Sequence, residues 1–205
     1  MTMKVALTGA GGYIGSRMGH VLIEAGHDVT GFDSGLHGVG RLYHSRDRRP
    51  AMVDIDVRDI TVEHLRGFDA VVHLAEISND PVGELDPDLT DQVNHRGTVA
   101  LAEAAREAGV RRFVHMSSCS VYGASGAESS DETSSTDPLT AYARAKLDVE
   151  TDVGAMAGDS FSPTFLRNAT AYGASPNQRF DLVVNDLTAL AFLTSRISMT
   201  SDGTP

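Results

Sequence analysis

Cysteine is almost missing from this chain: Cys119 stands alone among 205 residues. A lone thiol excludes an internal disulfide and any cysteine-clustered metal site, and it suits a reducing cytoplasm. Positive charge is scarce too. Lys and Arg number 17 against 28 Asp and Glu, for a formal net charge of −11 and a pI near 5.0. Such a balance argues against nucleic-acid or anionic-membrane partners and reads as solubility. No apolar run approaches the roughly 20 residues that span a bilayer. The N-terminus enters an apolar segment almost at once, so no charged-then-apolar leader is predicted. The eight histidines show no His-x-x-x-His or carboxylate spacing typical of zinc, and no metal is predicted. With 41% hydrophobic and 22% charged residues, the composition is that of one globular domain with a substantial core.

Glycine, by contrast, is placed where it means something. Lys4-Val5-Ala6-Leu7 leads into Thr8-Gly9-Ala10-Gly11-Gly12-Tyr13-Ile14-Gly15, and residues 13–25 follow with helical periodicity. Strand, glycine turn and helix in that order open a nucleotide-binding βαβ unit. Gly9 allows the sharp turn, Gly12 lets backbone N–H groups approach a pyrophosphate, and Gly15 lets the helix lie close on the sheet. With Tyr13 and Ile14 at the helix N-terminus, these are the candidate cofactor-loop residues. The next strand, Val29-Thr30-Gly31-Phe32, ends in Asp33, the acid expected about 20 residues on to bond the adenosine ribose. Its carboxylate would repel a 2′-phosphate, which favours NAD over NADP.

Strand and helix then alternate. Strands are predicted at residues 51–53, 70–74, 113–116 and 163–166. Helices are predicted at residues 61–66, 88–108, 140–157 and 181–195, the last one amphipathic. In the 88–108 helix Leu89, Val93, Val99, Leu101 and Ala105 form the inward face. Residues 34–50 and 123–138 read as loops, with Arg46-Asp47-Arg48-Arg49 solvated. The expected fold is α/β: a Rossmann-type doubly wound parallel sheet with helices on both faces and ligands at the strands' carboxyl ends.

Tyr142-Ala143-Arg144-Ala145-Lys146 carries the chemistry. Residues four apart on a helix share a face, so the phenol and the ammonium project together. A free phenol titrates near 10; the ammonium, with an oxidised nicotinamide, is expected to favour the phenolate and bring it toward working range. Ser117-Ser118-Cys119-Ser120-Val121-Tyr122-Gly123 follows the fifth strand, where a serine hydroxyl can bond a substrate oxygen and share a proton with Tyr142. Cys119 is expected to be a packed structural thiol rather than a nucleophile.

At this point the chain resembles the extended short-chain dehydrogenase/reductase superfamily, in particular its NAD-dependent epimerase/dehydratase family acting on nucleotide sugars. The matching residues are Thr8 to Gly15, Asp33, Asp56-Val57-Arg58-Asp59, His73-Leu74-Ala75, Asn94 with Gly97-Thr98, Ser117 to Gly123, and Tyr142 to Lys146. The resemblance implies that Asp56 and Val57 contact the adenine and that Leu74 and Ala75 line the cofactor. It makes Ser118, Tyr142 and Lys146 the catalytic set, with Ser118 preferred to Ser117 because it stands four before Tyr122. Asn185 resembles the family asparagine that meets the substrate diphosphate, and Arg179 is a candidate phosphate contact. A homodimer built on the 88–108 and 140–157 helices is implied as well.

The departures select the reaction. Dehydratases of this family carry an Asp-Glu pair before Val-Tyr-Gly, where this chain has Cys119 and Ser120. A UDP-glucose 4-epimerase-like reaction needs only Ser, Tyr, Lys and NAD. The alternatives are a ketoreductase, a 4,6-dehydratase or a noncatalytic NAD-binding module. Thr170 occupies the position where many members have a substrate-binding asparagine, with Asn168 two residues earlier. Glu76 replaces a small residue after His73-Leu74-Ala75; it is either a tolerated carboxylate or a group that contacts substrate or moves a proton. The family continues beyond the Ser201-Asp202-Gly203-Thr204-Pro205 turn into a portion that completes the sugar pocket. Residues 1–205 are therefore read as one NAD-binding domain whose substrate portion is short or absent.

Overall fold

The computed structural model describes residues 1–36, 49–78, 80–124 and 129–199. The expected 201–205 turn and residues 46–48 of the basic loop lie outside these. In chain order the elements are β1 (Lys4–Thr8), α1 (Gly15–Glu24), β2 (Asp28–Asp33), β3 (Ala51–Asp54), α2 (Val62–Leu65) and β4 (Ala70–His73). They continue with α3 (Asp80–Gly83), α4 (Pro87–Thr90), α5 (Gly97–Glu107), β5 (Arg112–His115), α6 (Ala141–Gly154), β6 (Ser162–Phe165) and α7 (Val183–Thr194). The five strand pairings of the sheet are parallel, and its order is β3-β2-β1-β4-β5-β6. The order reverses between β1 and β4, which opens a crevice at the carboxyl ends of those strands.

Alternation along the strands divides the core in two. Val5 and Leu7 of β1, with Ala70 and Val72 of β4, pack toward Met18 and Leu22 of α1. Ala6, Val71 and Phe113 point the other way, against Leu101, Ala102 and Ala105 of α5 and Val149 and Val153 of α6. Successive side chains leave a strand on opposite faces, so continuous apolar runs require a helix on each side.

The predicted 88–108 helix is three pieces. Between α4 and α5 lies a π-helical segment, Asp91–Arg96, closed by the Gly97 N–H bonding back to Gln92 O. The extra residue per turn rotates everything before it off the α5 register. Leu89, expected inward, is consequently 40% exposed, whereas Leu101 and Ala105 are buried. The π segment also turns Asn94 inward. Its amide takes the Ile77 N–H at 2.8 Å and donates to Ile77 O at 2.9 Å, which fixes the loop after β4.

The final helix is not amphipathic. Apolar residues surround α7, with Phe192 87% and Leu193 76% exposed, and Asn185 is its buried residue. The sequence Val183-Val184-Asn185-Asp186-Leu187 spaces apolar groups on all sides rather than in one stripe.

On the surface, His95 bridges two elements, with Nδ1 3.1 Å from Asp91 and Nε2 2.8 Å from Asp152 of α6. Partial burial alone would lower its pKa, but the two carboxylates outweigh that and hold it above 6.5. A raised cationic pKa stabilises the fold fully below pH 6.5, and the contribution disappears as pH rises through the folded value. His95→Gln is expected to lower stability by about 0.5–1 kcal/mol at pH 5.5 and by much less at pH 9. Urea unfolding at the two pH values checks this, and an equal loss at both would refute it.

Candidate active site

The glycine turn is assembled by close backbone approach. Gly9 has φ +68°, and a Cβ there would lie 2.7 Å from Ala75 N and from the Leu74 carbonyl. Gly15 is tighter still: a Cβ would sit 2.0 Å from Gly9 O. Gly12 differs, because its Cβ would meet Gly9 O alone, at 3.2 Å, among the described residues. The side of Gly12 away from the strand is therefore open at the N-terminus of α1, as a pyrophosphate cradle requires. Tyr13 and Ile14 are partly exposed there.

Asp33 ends β2 beside this turn, with Oδ2 accepting the Gly11 N–H at 2.8 Å and Oδ1 the Gly35 N–H at 2.8 Å. Gly11 has a role that the spacing argument missed: a Cβ would stand 3.0–3.1 Å from the Asp33 carboxylate. The doubled glycine at Gly11-Gly12 was the available signal. Asp56 caps the short 3-10 turn Val57–Asp59 and pairs with Arg58 Nη2 at 2.8 Å. The Val57 side chain is buried in the core beside α5, so any adenine contact there falls to its backbone.

Helix α6 carries both Tyr142 and Lys146. Thr140 caps it by accepting the Ala143 N–H, while Asp80 takes the Thr140 hydroxyl and Glu84 takes the Ala141 N–H. Two carboxylates from the α3 region thus hold the positive end of the helix. Tyr142 lies one turn ahead of Lys146, whose Nζ is 5.4 Å from the Tyr142 ring centroid, and Ser118 is close enough to act on the phenol. Ser117 points elsewhere: its hydroxyl donates to Glu150, which also holds Arg167 Nη2 at 2.7 Å. Ser118 Oγ accepts from Ser120 N at 3.1 Å and from Ser120 Oγ at 2.9 Å.

Two expectations are corrected here. Cys119 is exposed, not packed, because the turn places it outside while its N–H bonds Asn168 O at 2.9 Å. The Tyr142 phenol is pushed up from its ordinary value of 10, not brought down. Burial is the main cause and the Glu76 carboxylate the next; Ser118 and the charge of Arg179 oppose them. Lys146 does not offset this, since its ammonium is buried against Glu76 and the Met116 carbonyl.

The Glu76 side chain is itself buried, 4% exposed. Around it lies a buried cluster that linear spacing concealed. His73, Glu76 and His115 each bring a ligand-type atom within 4.8 Å of the others, from β4, its following loop and β5. His73 is committed, with Nδ1 2.6 Å from Thr8 Oγ1 and Nε2 2.8 Å from Thr98 Oγ1. Burial and the Lys146 charge lower His73 to about 3, and the same causes hold His115 well below its ordinary value. An ammonium already in the cluster and a histidine spent on threonines are a poor donor set for a cation.

The remaining candidates lie in the segment after β6. Thr170 is exposed. The Asn185 amide is engaged, accepting Gly173 N–H at 2.9 Å and donating to Tyr13 Oη at 3.0 Å and Arg179 O at 2.9 Å. Arg179 pairs with Asp181 at 2.6 Å and reaches Ser78 Oγ at 3.2 Å. Both act here as ties between α7, the glycine turn and the loop after β4. The same segment clasps the turn directly, with Ser175 Oγ on Tyr13 O at 2.7 Å and Asn177 on Gly11 O at 2.9 Å.

A doubly wound sheet with a glycine turn, an acid after β2 and a Ser–Tyr–Lys group after β5 defines a dinucleotide-dependent short-chain fold. The chain belongs to the NAD dependent epimerase/dehydratase family, whose model matches residues 5–205. It is 36% identical over 153 residues to UDP-glucose 4-epimerase of Mycolicibacterium smegmatis, across 71% of this chain and 48% of that protein. A solved UDP-glucose-4-epimerase from Stenotrophomonas maltophila, with bound NAD and formylated UDP-arabinopyranose, is 33% identical. It superposes with a TM-score of 0.70 over 80% of this chain and 52% of that one. An NAD dependent NDP-hexosamine 5,6-dehydratase of tunicamycin biosynthesis shares the fold, with a TM-score of 0.86 at 24% identity over 98% of this chain and 65% of that one. The chain thus spans about half the length of the epimerases it matches. NAD is the cofactor of the family, and the open Gly12 cradle with Asp33 at the end of β2 fits it. Among the described residues no helix is long and apolar enough to cross a membrane.

Proposed function

We propose that this chain is the cofactor-binding and catalytic portion of an NAD-dependent nucleotide-sugar epimerase, UDP-glucose 4-epimerase-like. The placement of Lys146 Nζ 5.4 Å from the Tyr142 ring, in a chain that also holds an open Gly12 cradle, carries this reading, and Ser118 acts on the same phenol. In it Tyr142 takes the proton of a sugar hydroxyl and later returns it, and Ser118 shares that proton and holds the substrate oxygen. Lys146 anchors the nicotinamide ribose and favours the phenolate. NAD, when bound, accepts hydride from the sugar carbon and gives it back to the other face. Asp33 holds the adenosine ribose, and Leu74 and Ala75, packed against Gly9, line the cofactor. Dehydration is disfavoured because the side chains of Cys119 and Ser120, a thiol and a hydroxyl, supply no proton-transferring carboxyl before Val121-Tyr122-Gly123.

Residues 1–205 act in this reading as one domain that carries both the cofactor-binding and the catalytic residues. A cytoplasmic homodimer through the 88–108 region and α6 belongs to the same reading, supported by the family resemblance and the single cysteine. A noncatalytic NAD-binding module is the second reading. It is favoured by the raised Tyr142 phenol and by a Lys146 already occupied.

The test is direct. The purified chain is incubated with NAD and UDP-glucose, and UDP-galactose is followed by chromatography. Interconversion supports the epimerase; NAD binding without turnover of any nucleotide sugar supports the module. Within the epimerase reading, Ser118→Ala is expected to lower kcat by on the order of 10²-fold, as loss of a hydroxyl on the reacting oxygen does. An unchanged kcat would remove Ser118 from the mechanism.

A further inference from the structure

Lys146 and Glu76 form a buried ion pair in the middle of the machinery. The Lys146 side chain is 2% exposed, and its remaining bond goes to the Met116 carbonyl. Glu76 offers one oxygen to this ammonium, while Oε1 has no hydrogen-bond partner and lies 3.8 Å from His115 Nε2. Both nitrogens of His115 are equally without partners, although the ring is fully buried and stacked on His73 at 5.5 Å. The loop carrying Glu76 cannot drift, because Asn94 clamps both polar groups of Ile77.

We propose that Glu76 is a positioning residue that latches Lys146 away from the cofactor. NAD binding opens the latch, and the released carboxylate takes up one proton within the Glu76–His115 pair. The inference rests on the reading of Lys146 as the ribose anchor. Its logic is electrostatic: a buried carboxylate stripped of its ammonium is costly unless it is neutralised. One oxygen of Glu76 and one nitrogen of His115 stand ready to share that proton after a shift of less than 1 Å from their 3.8 Å separation. The charged and titratable groups around the pair are Lys146 and Tyr142 from α6, His73 from β4 and His115 from β5. Asp80 and Arg179 act on Tyr142 from farther out. Burial already drives Glu76 upward with the ammonium in contact, so removing that ammonium drives it further the same way. Opening the latch and neutralising Glu76 also removes the second cause of the raised phenol, burial being the first.

Calorimetric titration of the full chain with NAD⁺, in two buffers of different ionisation enthalpy, reads the proton directly. About one proton is expected to be taken up near pH 8, with the NAD Kd rising by up to about tenfold per pH unit there. In Glu76→Gln, which keeps the volume, uptake is expected to vanish, the Kd to become flat with pH, and NAD to bind tighter than wild type at pH 8. NAD binding with no proton uptake by the wild-type chain overturns the latch and leaves the proposed function standing. Uptake that persists unchanged in Glu76→Gln overturns it as well. Failure of the wild-type chain to bind NAD at all overturns both. The wild-type titration stands whether or not the variant folds.

Discussion

In the proposed reading Tyr142→Phe is expected to lower turnover by about 10²- to 10⁴-fold and to leave NAD affinity nearly unchanged. The substitution removes one oxygen. The ring remains, with Lys146 Nζ 5.4 Å from its centroid, so the packing of α6 against the crevice is kept. What is lost, in the proposed reading, is the proton acceptor for the sugar hydroxyl. Losing one buried hydroxyl costs on the order of 1 kcal/mol, too little to unfold the domain. The kinetic signature is therefore a fall in kcat without loss of cofactor binding, measured by UDP-galactose formation beside NAD titration. Because burial and Glu76 push the phenol up, wild-type activity is expected to rise with pH through the alkaline range. The residual activity of the variant should lack that limb. Full activity in Tyr142→Phe would refute the assignment.

Gly15→Ala and Gly12→Ala form the second experiment, and they fail for different reasons. At Gly15 the added Cβ would stand 2.0 Å from Gly9 O and 2.8 Å from Gly9 C, both backbone atoms of a turn pinned against Leu74 and Ala75. Nothing there is the free end of a side chain. The helix must move off β1, at a cost on the order of 3 kcal/mol or more. A large fall in Tm is expected, with NAD binding lost alongside it. At Gly12 the same methyl meets Gly9 O at 3.2 Å and then open space among the described residues. Gly12→Ala should therefore fold with a near-native Tm yet bind NAD at least about tenfold more weakly, since the methyl occupies the cradle that the phosphates need. Native NAD affinity in Gly12→Ala would show that the pyrophosphate lies elsewhere. A native Tm in Gly15→Ala would contradict the close packing of turn and helix.

Why some residues were readable in advance and others were not follows from how each acts. Gly9, Gly12 and Gly15 work through backbone conformation and local approach, within one turn of chain, so their spacing carries their role. Tyr142 and Lys146 lie on one helix four apart, and the period of the helix puts them together without reference to any other element. Ser118 follows a strand end, and parallel topology alone sends strand ends to the crevice. The two faces of β1 were legible by the same logic, Ala6 to one side and Val5 and Leu7 to the other.

Leu89 and α7 were misjudged because periodicity presumes an unbroken α-helix with a partner on one side. The π segment at Asp91–Arg96 breaks the first assumption, and the exposure of Phe192 and Leu193 breaks the second. Asn185 and Arg179 were legible as polar groups near the last helix. Their bonds to Gly173, Tyr13, Asp181 and Ser78 come from segments up to 172 residues apart.

The order of elements, the glycine turn, the acid after β2 and the pairing of Tyr142 with Lys146 on one helix are properties of this sequence alone, because each depends on near neighbours in the chain. The state of that pair is a tertiary matter. Glu76 follows β4, His115 ends β5 and Lys146 lies on α6, and only the folded sheet brings them into one dry cluster. In water a carboxylate that far along the chain would leave the ammonium and the phenol untouched. Buried beside them, where charge is poorly screened, it takes the ammonium and raises the phenol.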